Sequence, residues 1–101
     1  AWLPAEAQVV TKDIAEQLGK PGLTGFRVTY VYAGTSAEEA GLAMGDIITS
    51  VDGMALEASE PEQYEELPTL IRQYKIGSVV ELAILRDGNE TKLPVTLIES
   101  P

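Results

Sequence analysis

Residues 33–53, AGTSAEEAGLAMGDIITSVDG, constrain this chain more than any other stretch, because every few positions they commit the backbone to something different. Thr35 followed three places on by Glu38 has the spacing of a capping box, in which each side chain satisfies a backbone N–H of the other. A helix is therefore expected from Ser36. Ala37 and Ala40 give it a small apolar face, and Gly41 stands where a helix end needs a residue at ease with positive φ. The helix can be only about one turn long. Leu42 then returns to the core, Gly45-Asp46 makes a tight turn, and Ile47, Ile48 and Val51 read as a strand closed by Asp52-Gly53.

Composition excludes several function classes. At 101 residues the chain is expected to be one domain, spanning 1–101, with a modest core. With no Cys there is neither a disulfide framework nor a thiolate metal site, and with no His the commonest general base and zinc ligand is absent. Ser36 and Ser50 have no base at a recognisable spacing, so no catalytic residue is assigned. The net charge of −9, from 16 acidic and 7 basic residues, opposes nucleic acid or anionic lipid as a partner. No apolar run is long enough for direct membrane insertion, and these residues contain no n-region or h-region of a signal peptide. The first residue is Ala, so the expectation is a domain taken from a longer protein. The glutamate-rich run at 57–66 lacks the alternating ligands and central glycine of a calcium loop, so no metal or cofactor is expected and the run reads as an exposed, solvated loop.

In chain order, AEAQVV at 5–10 suits a short strand. Thr11 is an N-cap for a helix at 12–18, with Asp13 in the first turn, Gly19 as its stop, and Ile14, Ala15 and Leu18 as its buried face. Residues 26–32, rich in β-branched and aromatic side chains, predict a strand. After Gly53 comes a short strand at 54–56. Leu67-Pro68 predicts a helix start with proline in the first position, and Leu70, Ile71 and Tyr74 recur at helical spacing up to Gly77. Strands at 79–85 and 91–98 flank an Asp87-Gly88 hairpin turn, and Pro94 predicts that the second is an edge strand.

The string Ala37-x-x-Ala40-Gly41-Leu42-x-x-Gly45-Asp46-Ile47-Ile48-x-x-Val51-Asp52-Gly53 resembles the signature of PDZ domains, in the circularly permuted form attached to bacterial HtrA-type, site-2 and C-terminal processing proteases. Ser36 stands where that family usually has proline. Extended over residues 2–98, the resemblance implies an α+β, mainly β fold: a small, partly open β-barrel capped by two helices. It implies no enzymatic activity in the domain itself, a periplasmic or otherwise extracytoplasmic location, and partners that are peptide or protein C termini, extended segments, or other domains of a parent protease. Trp2, Leu3, Pro4 and Ala5 fall where the family has a loop whose N–H groups receive a terminal carboxylate. The strand from Glu6, with Ala7, would pair with the peptide by β-augmentation, and Leu67, Leu70, Ile71 and Tyr74 would form the opposite wall. Pro4 replaces the loop glycine and has no N–H, leaving the donors of Leu3 and Ala5. Two alternatives stand beside this reading. One takes these apolar residues as core beneath a degenerate groove; the other takes the domain as an interdomain packing or self-association element.

Overall fold

The β-branched and aromatic runs pair into one antiparallel sheet of six strands in the computed structural model, which describes all of residues 1–101. The strands are β1 (Ala5–Val9), β2 (Phe26–Val31), β3 (Ile47–Val51), β4 (Met54–Ala55), β5 (Val79–Arg86) and β6 (Asn89–Thr96). Their order is β1-β2-β3-β5-β6, with β4 paired to β3 alone. The path thus has two edges, β1 and β6, and Pro94 lies on the second, where a missing ladder donor does least harm. Beyond these edges the chain closes on itself: Trp2 and Ile98 exchange backbone hydrogen bonds of 2.8 and 3.1 Å. That single bridge bends the sheet into a partly open barrel. Both tight hairpins use two residues at positive φ, Asp52-Gly53 (49° and 80°) between β3 and β4 and Asp87-Gly88 (52° and 79°) between β5 and β6, the primed-turn geometry that matches strand twist.

Three helices, α1 (Lys12–Gln17), α2 (Ser36–Glu39) and α3 (Glu66–Arg72), cover the barrel. Thr11 caps α1 through a 3.3 Å bond from the Ile14 N–H, and Gly19 at φ 72° ends it. Its buried face is smaller than expected. Ala15 is buried and Ile14 half-buried over a small cluster with Val10 and Ile47, but Leu18 sits in the cap, past the covered turn, and is 47% exposed. The one-turn α2 is also anchored differently from the reciprocal pair that Thr35 and Glu38 suggested. With Thr35 extended, its hydroxyl turns back to donate to the Tyr32 carbonyl, and Glu38 reaches one residue further to accept from the Gly34 N–H. Gly41 ends the helix at φ 93°.

The main core lies between the sheet and the faces of α2 and α3. Phe26, Val28, Ile48, Leu82, Ile84 and Val95 from the strands meet Ala37, Leu67 and Ile71 from the helices. One charged side chain is buried with them. Asp46, 2% exposed, accepts from Nε and Nη2 of Arg86 at 2.8 and 2.7 Å and from the Ala43 N–H at 2.8 Å, while Arg86 also donates to the Gly41 carbonyl. The pair ties the turn after α2 to the end of β5. Hydrogen bonding to Asp46, with the carboxylate's charge, holds Arg86 above the usual guanidinium range.

The glutamate-rich segment is more ordered than a solvated loop. Leu56 and Ala58 are buried, and the Glu57 and Ala58 N–H groups both donate to the Glu66 carboxylate at 2.9 to 3.0 Å. Gln63 Oε1 likewise accepts from Ser59 and Glu60, closing a 3₁₀ turn at Pro61–Gln63. Because Glu66 is used in this way, α3 begins at Glu66 and not at Pro68. Proline at the third position costs nothing there, since the first N–H groups of a helix have no internal partner.

Candidate functional site

A cleft opens between the free edge of β1 and α3. Pro4 sets its near end: with φ fixed, the chain folds tightly enough for the Ala5 N–H to donate to the Leu3 carbonyl at 2.7 Å, a three-residue turn. Past the turn, β1 alternates. Ala5, Ala7 and Val9 face inward while Glu6 and Gln8 face solvent. Alanines at 5 and 7 leave space that larger side chains would fill. Across the gap Leu67 and Ile71, one helical turn apart, present a single apolar face, 5% and 3% exposed. The resulting space is about 230 Å³, floored by Leu3, Ala5, Ala7, Phe26, Leu67 and Ile71 and rimmed by Ala1, Trp2, Tyr64, Pro68, Arg72 and Ser100.

Of the residues that the sequence singled out, Trp2, Leu3, Ala5, Ala7, Leu67 and Ile71 converge on this space. Leu3, Leu67 and Ile71 are core residues at the same time, so wall and core are one layer. Three residues do not line it. Pro4 is buried behind the loop, its carbonyl accepting from the Tyr32 N–H. Leu70 is on the other side of α3, in a separate depression with Met54 and Leu56. Tyr74 lies beyond the helix, where its hydroxyl donates to Asp52 Oδ2 at 2.8 Å; that hydrogen bond raises the phenol above its ordinary value. Asp52 in turn accepts from the Glu81 N–H, so Tyr74 ties the helix end to the β3–β4 turn. Six lining residues escaped the sequence reading: Ala1, Ser100, Phe26, Tyr64, Pro68 and Arg72. The last three carry a signal, since 64, 67, 68, 71 and 72 fall on one helical face.

The loop donors are fewer than expected. The Pro4 N–H does not exist and the Ala5 N–H is spent on Leu3, which leaves the unpartnered Leu3 N–H alone. Arg72, the one charged side chain on the rim, is held by Glu65 at 3.0 Å and by the Thr69 hydroxyl at 3.1 Å. Beside the rim, Trp2 packs tilted against Tyr32 and Tyr30 meets Tyr32 edge to face, with ring centres 5.2 and 4.9 Å apart, and Tyr32 donates to Glu6, which raises its phenol. Nothing here assembles a nucleophile with a base: the Ser36 hydroxyl donates to the Thr96 carbonyl. No three His, Cys, Asp or Glu side chains stand close enough together to hold a metal ion.

The sequence model of the PDZ domain family matches residues 27–86. Among curated proteins, a probable periplasmic serine endoprotease, DegP-like, of Pseudomonas savastanoi pv. phaseolicola is 38% identical over 96 residues, covering 95% of this chain and 19% of that protein. A protein of the same description from Marinomonas sp. is 35% identical over 101 residues, covering 100% of this chain and 20% of its own length. Among solved structures, an HtrA-type protease, AlgW, with decapeptide superposes with a TM-score of 0.77 at 25% identity, over 99% of this chain and 30% of that one. The chain therefore spans about a fifth of the curated relatives it matches.

Proposed function

Because the chain belongs to the PDZ domain family, in the form found in bacterial HtrA-like proteases, we propose that it binds an extended peptide along β1, as a regulatory or substrate-presenting domain of a longer protease. The domain itself is non-catalytic, since what it matches is the PDZ part of proteins whose protease activity lies in a separate domain. Like those relatives, it is periplasmic. The observation that carries the proposal is the combination of an unpaired strand edge with an apolar cleft beside it. Along that edge alternate N–H and C=O groups have no ladder partner, so an incoming strand gains main-chain hydrogen bonds whatever its sequence, and the cleft selects a side chain. The decapeptide carried by the AlgW structure supports this direction. The space in the cleft favours binding over the reading in which the domain is only a packing element.

The test is titration of ¹⁵N-labelled domain with decapeptides. Shifts should gather at the amides of β1 and α3, and Ala7→Glu, which fills the cleft from a half-buried strand position, should abolish them while the circular dichroism spectrum stays unchanged. Shifts confined to other strands, or binding untouched by Ala7→Glu, would refute the assignment.

A further inference from the structure

We propose that Arg72 is the group that takes a ligand's terminal carboxylate in this domain, exchanging its bond to Glu65 for one to the peptide. The inference rests on the peptide-binding reading above and concerns the same cleft. An anion entering here meets unfavourable surroundings: a net charge of −9, the last turn of α3 with its partial negative charge, and a loop in which only the Leu3 N–H is free to donate. One backbone N–H does not offset that field. Arg72 does, because it lies in that last turn, lines the cleft together with Leu3, and carries a planar fork that fits a carboxylate with two parallel bonds. Its present partner is easily displaced. The side chains of Arg72 and Glu65 are 60% and 54% exposed, and exposed pairs contribute little because water screens them and two long side chains must be ordered. Glu65 thus competes with the ligand for the same guanidinium, and an apolar last residue seated against Leu67 and Ile71 supplies the affinity that decides the exchange.

Two pools of decapeptides, identical but for a free or an amidated C terminus, are passed over immobilised domain, and the most enriched sequences are measured by fluorescence anisotropy. Wild type should prefer the free terminus by about tenfold. Arg72→Gln should bring the free form down to the amidated one and leave the amidated affinity unaltered, whereas Glu65→Gln should strengthen the free form a few-fold and leave the amidated form alone. An undiminished preference in Arg72→Gln overturns the proposal. So does Arg72-dependent binding of amidated peptides ending in Asp or Glu that equals the free-terminus effect, which would assign Arg72 to side-chain carboxylates. Failure of both pools to bind wild type refutes peptide capture itself, and equal binding of both pools by wild type refutes only the role of Arg72.

Discussion

Removing one partner of the Asp46–Arg86 pair should cost different amounts depending on which partner goes. Asp46 is 2% exposed, whereas the Arg86 side chain is 43% exposed. In Asp46→Ala the freed guanidinium swings into water, and the loss is the set of charged hydrogen bonds together with an unpartnered Ala43 N–H, about 2–3 kcal/mol. In Arg86→Leu the carboxylate stays buried with the Ala43 N–H as its remaining partner, and an uncompensated buried charge costs about 3–5 kcal/mol. The double variant should be no worse than Asp46→Ala, so the two effects should fall short of additivity by more than about 2 kcal/mol. Urea unfolding followed by the fluorescence of Trp2, the chain's single tryptophan, measures all four proteins. Arg86→Leu being milder than Asp46→Ala at pH 7, or strict additivity, would refute the reasoning.

Gly25→Ala should destabilise far more than Gly41→Ala: a Cβ at Gly25 clashes with the Ile48 carbonyl oxygen, while at Gly41 the space is open and only the left-handed backbone penalty of about 1–2 kcal/mol applies, as thermal unfolding would show. Ile71→Ala should cost about 2–5 kcal/mol because Ile71 is core as well as wall, so a charged residue there tests folding before it tests binding. Glu66→Ala should speed hydrogen exchange at the Glu57 and Ala58 amides and leave the β5–β6 hairpin protected. Tyr74 should ionise above 10; since its folded form holds the proton more tightly, its contribution to stability is complete below the ordinary phenol value and is lost as pH rises through the raised one, and Asp52→Asn should bring the ultraviolet titration of one tyrosine back down.

What was legible in the sequence was local. Gly41, Asp52-Gly53 and Asp87-Gly88 could be placed because positive φ narrows the choice of residue, β1 because its loose period-two alternation marks a half-buried strand, and β2 because β-branched and aromatic residues crowd it. The Asp46–Arg86 pair joins residues 40 apart, and nothing in either neighbourhood announces it. Glu66 looked like a solvated charge because its partners are backbone N–H groups, which every residue but proline possesses. At the cleft, the facing walls followed from the resemblance to PDZ domains, whereas the direction of the Ala5 N–H depends on how Pro4 turns the chain, and that is settled by the Tyr32 and Ile98 contacts on either side.

The bridge between Trp2 and Ile98 also has a mechanical meaning. Its partners run antiparallel, so chain arriving at Trp2 and chain departing from Ile98 leave the barrel from one end, beside Ser100 at the lip of the cleft. A load drawn between the two would not shear the sheet, where many ladder bonds share the stress; it would peel open two bonds in succession. The first structure to yield would be the loop that forms the near end of the cleft, so a pull applied at the two ends would open the cleft before it opened the sheet.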